Sequence, residues 1–411
     1  MTERVLLLAV KMPGADDNQF ESSLTELASL SETAGGSVER TIIQNRQRIH
    51  PAYYIGEGKA AEIGELVRDL EIDLVVSNDE LSPSQMRNLN DAIGVRLIDR
   101  SQLILDIFAR RAHTKEGKLQ VELAQLEYTL PRLRGKGEEM SRLGAGIGTR
   151  GPGETKLEID QRHIRRRIDD IRHQLKQVVR QREQYRKRRK ANDVFQIGIV
   201  GYTNAGKSTL FNQLTKGETK VENQLFATLD PLTRHIHLPS GLQALVTDTV
   251  GFIQDLPTTL VASFRSTLEE VTEADFILHI ADAANDDVMQ QQKTVDNLLQ
   301  ELGADTVPQL MVYNKLDKLS EDFIPMRHPS ILVSVFESGA VSGILEKIEE
   351  LLKQDWDWYN IQVPPDQGKL LYRLESETIV TQRFFQEDAN AFIVNGYMRP
   401  DHELQRLVKE S

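Results

Sequence analysis

A short apolar run, Gln196–Val200, ends in Gly201-Tyr202-Thr203-Asn204-Ala205-Gly206-Lys207-Ser208, and an apolar helical pattern through Leu210 and Leu214 follows. A strand that turns through a glycine loop straight into a helix commits its surroundings to an α/β sheet. The glycines let successive backbone N–H groups turn inward on an anion at a helix N-terminus. A nucleoside triphosphate fits that cradle: Lys207 reaches its β and γ oxygens, and Ser208 holds Mg²⁺.

The loop alone suits ATP or GTP. Further along, the apolar strand Gln309–Tyr313 leads into Asn314-Lys315-Leu316-Asp317. A carboxylate there accepts hydrogen bonds from the N1–H and exocyclic amine of guanine, whereas adenine presents an unprotonated N1 to it, an unpaired and costly contact. GTP is therefore the expected ligand. Asp248-Thr249-Val250-Gly251 ends another strand, Ala244–Thr247; Asp248 orients Mg²⁺ through water, and the Gly251 N–H bonds the γ-phosphate. Phe226-Ala227-Thr228-Leu229-Asp230 occupies a polar loop in which Thr228, ahead of Thr233, completes the metal shell. Lys207, Thr228 and Gly251 are the catalytic candidates. Segments ordered by γ-phosphate and released after hydrolysis make such a domain a switch. Phe252 stands where many small GTPases place a water-orienting Gln, so intrinsic hydrolysis is expected to be slow and to depend on a partner. Ser334-Val335-Phe336, after Ile331–Val333, is the expected base-backing loop, with Val at the position of the usual Ala.

At 411 residues the chain has room for two to four domains at roughly 100–200 residues each. It has no cysteine, which excludes disulfides, thiolate metal sites and a cysteine nucleophile. Its longest apolar run, Val5–Val10, is strand-sized, and the N-terminus lacks a basic segment and a cleavage site, so no membrane span is expected and the cytoplasm is the default. Residues 1 to about 110 alternate strands (Val5–Val10, Ser37–Gln44, Leu74–Ser77, Val95–Ile98) with helices near Gln19–Ala34, Lys59–Leu70 and Ser82–Ala92, an open α/β pattern. Gly56-Glu57-Gly58-Lys59 reads as a tight turn or an anion site, and turn chemistry favours the turn.

The formal net charge is −12, which by itself discourages a nucleic-acid partner. Arg132–Lys190, however, carries 19 Lys+Arg against 8 Asp+Glu, a local +11 that leaves −23 on the remainder. One block therefore faces a polyanion. Within it, Leu119, Leu123, Leu126, Leu130 and Leu133 form one helical stripe and Leu157, Ile164, Ile168, Ile171, Leu175, Val178 and Tyr185 another. The two stripes bury each other as an antiparallel hairpin, or each packs on its neighbouring domain. Between them the loop 134–154 interleaves glycines with Arg134, Lys136, Arg142 and Arg150, a composition suited to close approach to phosphates. Gly146-Ile-Gly148-Thr-Arg-Gly151 matches a dinucleotide fingerprint by letter only, since it follows a helix instead of leaving a strand.

Beyond these motifs the chain resembles the HflX family of ribosome-associated GTPases from end to end. The resemblance rests on Tyr54-Ile-Gly-Glu-Gly-Lys59, Asp99-Arg100, the run Ile107–Leu126, Gly151-Pro-Gly-Glu-Thr-Lys-Leu157, Phe226–Asp230, Asp248–Ile253 and Ser266-Thr-Leu-Glu-Glu270. It implies a multidomain α/β chain: an N-terminal α/β domain (1–112), a basic helical-hairpin linker (113–192), a P-loop GTPase domain (193–355) and a small C-terminal α/β domain (356–411). In that last piece Asp357–Val363 and Ala391–Tyr397 read as strands and Gly368–Glu377 as a helix, with Trp356 and Trp358 packing the domain boundary. The resemblance further implies action on the large ribosomal subunit and its rRNA near the peptidyl-transferase region, with splitting of stalled or idle ribosomes under stress; no DNA partner is expected. Competing functions are a GTP-regulated adaptor whose hairpin recruits a protein, and an RNA-remodelling NTPase, which Asn314–Asp317 disfavours.

Overall fold

The computed structural model describes residues 2–133, 156–191, 194–217, 225–226, 228–254, 271–319 and 323–406. The loop 134–154, Ala227 and Ser266–Glu270 lie outside the described residues. The chain divides into two compact units: Met1–Arg180 with Asn223–Asp230 and Ile253–Ser266, and Gln181–Glu222 with Pro231–Phe252 and Thr267–Ser411.

The first unit is built on a parallel sheet of order β2-β1-β3-β4, from β1 (Glu3–Lys11), β2 (Gly36–Asn45), β3 (Leu74–Ser77) and β4 (Arg96–Asp99). The run Val5–Val10 is buried throughout, as a central parallel strand covered on both faces must be. The helices α1 (Asp17–Thr33), α2 (Glu57–Asp69) and α3 (Pro83–Ile93) fall within three residues of their expected ends. Helix α3 shows why: Ser82 and Gln85 form a capping box, Pro83 opens the first turn, and Gly94 ends the helix at φ +77. Helix α4 (Arg100–Arg111) was not anticipated, because Leu103, Ile104, Leu105, Ile107 and Phe108 are all buried and leave no one-sided stripe to read. Gly56 caps α2 in extended backbone, and its N–H is taken by the Gln44 side chain at 2.9 Å.

Helices α5 (Lys115–Arg132) and α6 (Lys156–Ala191) carry the two stripes. Leu119 and Leu123 of α5 form one core cluster with Ile168 and Ile171 of α6, flanked by Leu126, Leu130, Ile164 and Leu175. The stripes therefore bury each other, which decides between the two readings of them. Arg167 grips Glu122 with two hydrogen bonds of 2.6 and 2.8 Å, and Arg172 bonds Glu127 at 2.7 Å. Part of the basic charge is spent inside the pair, while Arg165, Arg166, Lys176 and Arg180 are exposed.

The second unit contains a six-stranded sheet, β10-β9-β8-β5-β7-β6. Its strands are β5 (Phe195–Gly201), β6 (Leu232–His237), β7 (Gln243–Asp248), β8 (Phe276–Asp282), β9 (Gln309–Asn314) and β10 (Ser330–Leu332). All pairs are parallel except β6 with β7. Helices α7 (Lys207–Thr215), α8 (Val288–Leu302) and α9 (Ala340–Asp355) accompany it. A three-stranded antiparallel sheet of order β11-β13-β12 follows, from β11 (Asp357–Val363), β12 (Ile379–Gln386) and β13 (Ala391–Met398), with α10 (Gly368–Glu377). Tyr359, Ile361, Val363, Leu374, Val394 and Met398 form its own core. Strand β12 escaped the sequence because it is an edge strand, exposed from Gln382 to Gln386, without alternation. Trp356 packs edge-on to Phe195 at 5.7 Å in the core of the larger sheet. Trp358 corrects the expectation that both tryptophans pack: alternation along β11 turns Tyr359, Ile361 and Val363 inward and leaves Trp358 58% exposed.

Candidate nucleotide-binding site

Backbone geometry at two glycines shapes the loop after β5. Gly201 has φ +150, and a Cβ there would stand 2.2 Å from the Ile280 carbonyl oxygen of the adjacent strand. Gly206 has φ +103, and its Cβ would meet Asn314 Nδ2 at 2.2 Å. Asn204 between them also takes a positive φ, +62. With Gly206 bare, Asn314 donates to the Ala205 carbonyl at 3.0 Å and accepts from the Val335 N–H at 3.1 Å. Asn314 thus ties the glycine loop to the loop after β10.

Lys207 opens α7 but lies buried, and its Nζ donates back to the Tyr202 carbonyl at 2.7 Å. Burial pushes its ammonium down to about 8, against the opposing pull of the Asp248 carboxylate. Ser208 Oγ donates to Asp248 Oδ2 at 2.9 Å, bringing the two oxygens proposed for the metal onto one spot. Thr249 anchors the strand end by donating to the Ile199 carbonyl at 2.7 Å. A Cβ on Gly251 would lie 2.8 Å from Thr203 Cγ2 and 2.9 Å from Lys207 Nζ, so only glycine keeps this backbone against the loop. Phe252 hydrogen-bonds through its backbone with Gly201 and Thr203, and its ring is 1% exposed. That ring belongs to the interior and has no path to an attacking water.

At the base end, Lys315 adopts φ +67 and its Nζ bonds Asp282 Oδ2 at 2.7 Å; Leu316 and Asp317 lie in a single 3-10 turn. Ser334 Oγ donates to Asp317 Oδ1 at 2.6 Å, which fixes the carboxylate's direction. The Val335 N–H, a candidate donor to guanine O6, is engaged by Asn314, and Phe336 stands 78% exposed. Asp282, missed by the motif reading, is an acid at the end of the apolar strand β8 and holds the lysine.

Four of the expected site residues are assigned to the other unit. Phe226, Thr228, Leu229 and Asp230 belong to the first unit. There Phe226, at φ +56, is buried edge-on against Phe108 at 4.5 Å, and Leu229 is buried. The Asp230 carboxylate accepts from the backbone N–H groups of His113 and Thr114, both at 2.9 Å, and from the Thr114 hydroxyl. Its charge is thereby committed to the start of α5. Thr233 sits in the β6 ladder, its hydroxyl 3.0 Å from that of Thr247.

The residues present fit a triphosphate with Mg²⁺. Because positions 206 and 251 are bare, Asn314 and the Lys207 amine can close on the loop backbone that would meet the phosphates. Among the described residues no group of three or more His, Asp or Glu side chains is able to hold a metal unaided. Mg²⁺ at Ser208 and Thr228, with Asp248 reaching it through water, would draw its remaining ligands from phosphate and water, the usual habit of this ion.

Three family models match the chain. They are described as GTP-binding GTPase N-terminal, over residues 21–109; GTP-binding GTPase middle region, over 111–189; and 50S ribosome-binding GTPase, over 196–315. A curated relative named GTPase HflX from Alkalihalophilus pseudofirmus is 50% identical across 100% of this chain and 98% of its own length. Another of that name, from Escherichia coli, is 41% identical over 94% of this chain and 92% of its own. Among solved structures, a GTP-binding protein from the archaeon Sulfolobus solfataricus in complex with GDP is 25% identical, spans 86% of this chain and 99% of its own, and has a TM-score of 0.45.

Proposed function

We propose that this chain, which belongs to the HflX family of GTPases, uses its nucleotide state to govern its hold on the large ribosomal subunit and, with GTP bound, separates idle or stalled ribosomes into subunits. It is a GTP-binding, ribosome-associated GTPase. The observation that carries the reading is the joint held by Asn314. One side chain links the phosphate loop, through Ala205, to the base-backing loop, through Val335, beside an Asp317 carboxylate fixed by Ser334. Guanine and phosphate recognition thus form one rigid element, as selective binding of a nucleotide requires.

In this mechanism the loop N–H groups and Lys207 take the triphosphate, and Lys207 trades the Tyr202 carbonyl for phosphate oxygens. Asp317 reads the base. Gly251 presents its N–H to the γ-phosphate, and Thr228 completes the site when its segment reaches the nucleotide. Mg²⁺, which Ser208 would hold directly and Asp248 through water, would supply neutralisation of the triphosphate charge. With Phe252 in the interior, no side chain at that position orients water, so hydrolysis is slow until the ribosome orders the site. The exposed Arg165, Arg166, Lys176 and Arg180 of α6 and the loop 134–154 are the elements proposed to meet rRNA near the peptidyl-transferase region, by phosphate and shape. The cytoplasm, where ribosomes work, is the proposed location. Among the described residues no helix is long and apolar enough to cross a membrane.

A nucleotide with equal affinity for both conformations would shift nothing, so the cycle requires tighter ribosome binding with GTP than with GDP. Sedimentation of intact ribosomes with the protein in each nucleotide state tests this. Subunit peaks are expected with a non-hydrolysable GTP analogue and intact ribosomes with GDP; identical profiles in both would overturn the reading. The ion pairs of Arg167 and Arg172 give the adaptor reading its support, because charge spent inside the helical pair is not offered to RNA. Deleting 134–154 separates the two: splitting lost with GTP binding retained marks an RNA probe, and splitting retained marks an adaptor.

A further inference from the structure

The geometry points to Thr114 and Gly117 as positioning residues that lock segment 225–230 to helix α5, so that the nucleotide-responsive Thr228 travels with the first unit and transmits the nucleotide state to the ribosome-binding arm. This rests on the reading above of Thr228 and of the arm.

Four anchors hold the segment. Leu225, Phe226 and Leu229 are buried at 8%, 2% and 3% exposure, and Phe226 meets Phe108 at 4.5 Å with the rings near perpendicular. The fourth anchor is polar. Thr114 is the N-cap of α5, its Oγ1 accepting from the Gly117 N–H at 2.9 Å. The same hydroxyl donates its proton to Asp230, and the His113 and Thr114 N–H groups point at that carboxylate too. Asp230 is therefore a second cap: an anion at the positive end of a helix, held by three donors. Gly117 makes room for it. A Cβ there would stand 2.4 Å from Asp230 Oδ1 and 3.1 Å from Thr114 Oγ1.

The segment lies in sequence between Ser208 and Asp248, yet it groups with the first unit, where Phe226 packs on Phe108 and Asp230 on the start of α5. Pulling it away to serve the metal would expose three buried apolar side chains and strip the carboxylate of all three donors. Carrying the first unit along costs none of these contacts. The lock therefore stays closed in both nucleotide states, and α5, whose stripe is packed on α6, moves with Thr228.

Gly117→Ala is the incisive variant. Alanine favours the helix more than glycine does, which offsets the crowding of the Thr114 cap, while the added methyl displaces Asp230. Hydrogen exchange in the full-length protein reads the lock directly. In the wild type the His113 and Thr114 amides are expected to exchange at rates within threefold of each other in GDP and in a GTP analogue with Mg²⁺. In Gly117→Ala and Thr114→Val both amides exchange at least tenfold faster, and Thr114→Ser restores protection. Large-subunit binding is the second arm: the ratio of affinities, GTP analogue over GDP, falls at least fivefold in Gly117→Ala and in Thr114→Val and keeps its wild-type value in Thr114→Ser. Loss of amide protection in the wild type on adding the GTP analogue overturns the lock, since the segment then detaches. So does an unchanged ratio in a Gly117→Ala protein whose amides have been freed. A wild type with no nucleotide dependence of ribosome binding defeats the proposed cycle instead, and the exchange arm still decides the lock.

Discussion

Two mainly parallel sheets in this molecule each gather polar groups at the carboxyl ends of their parallel strands, and they do so for opposite ends. In both, the strand order reverses beside the first strand, which is where open α/β sheets offer a crevice. After β5 the crevice is lined with backbone: Gly201, Gly206 and Gly251 have no side chains, and Lys207 folds back on the loop's own carbonyl. After β1, β3 and β4 it is filled with side chains bonded to one another. Arg100, nearly buried, donates to the Ser23 carbonyl at 3.2 Å and to Asn78 Oδ1 at 3.0 Å, and pairs with Glu26. Tyr54 donates to Asp79 while accepting from the Val10 N–H at 3.0 Å. Asp99 takes the N–H groups of Leu81 and Gln102 and lies 3.4 Å from Arg132; burial nevertheless raises its carboxyl above the usual range. The same fold position is a candidate ligand site where glycines bring bare backbone and an exchangeable lysine contact together, and a structural joint where side chains bond each other. Position in a fold offers a site, and the residues decide whether one exists.

The contrast breaks most visibly at Asp317. Asp317→Asn replaces an acceptor pair by one acceptor and one donor, facing the guanine amine with an N–H. We expect GTP affinity to fall about 10³-fold, with partial recovery for xanthosine triphosphate, whose C2 oxygen accepts that donor. Thermal stability should barely move, because Asp317 is exposed and takes one hydrogen bond, from Ser334. Fluorescence titration of both nucleotides checks this; equal loss for both would remove Asp317 from base reading.

The reverse signature belongs to Arg100. Arg100→Ala leaves Glu26 buried without its cation and removes the donor to Asn78, a loss of about 3–5 kcal/mol in folding stability. GTP affinity of the protein that remains folded should be unaltered. Urea unfolding beside nucleotide titration separates the two, and a ligand-affinity change without a stability change would mean that this joint is itself a site.

How much of this was legible follows the same division. The loop Gly201–Ser208 and Asn314–Asp317 were readable because glycine, lysine and carboxylate at fixed spacing answer to the ligand's chemistry, which is constant. Strands β1 and β3 were readable because burial on both faces leaves unbroken apolar runs. Helix α4, buried nearly all round, and strand β12, exposed nearly throughout, lack the one-sided pattern that periodicity detects. The fate of Asp230 was illegible for a different reason. Its partners, His113 and Thr114, lie more than a hundred positions away in the chain, and nothing local to Phe226–Asp230 announces them. Charge segregation, too, was visible only as a sum: that Arg132, Arg167 and Arg172 are spent on Glu80, Glu122 and Glu127 is a fact of packing.

A smaller effect is expected at Phe252, where the nucleotide site borrows the logic of a core. Phe252→Gln puts an amide into a position that is 1% exposed, so it should cost about 1–3 kcal/mol of stability and give no faster hydrolysis. Single-turnover GTP hydrolysis with and without ribosomes is the measurement. A rate gain of tenfold or more in the free protein would show that the side chain does reach the attacking water.

The smallest effect is a proton. The Lys207 ammonium is pushed from 10.5 down to about 8 by burial. A cation whose pKa is lowered on folding is held charged at a cost below pH 8. Between about pH 8 and 10.5 the unfolded chain carries more protons, so the stability of the nucleotide-free protein should rise across that window. Nucleotide binding runs the other way: triphosphate oxygens favour the charged amine, so binding takes up a proton wherever the free amine is neutral. GTP affinity should therefore fall as pH rises above about 8, by at most tenfold per pH unit. Calorimetric titration in two buffers of different ionisation enthalpy should find uptake approaching one proton near pH 9 and almost none near pH 7. Lys207→Arg, which stays charged, should abolish the uptake whatever it does to affinity. Absence of uptake near pH 9 in the wild type would mean that the amine is already hydrated before GTP arrives. The glycine cradle would then differ from the Arg100 joint in shape alone, and not in holding a desolvated charge ready for exchange.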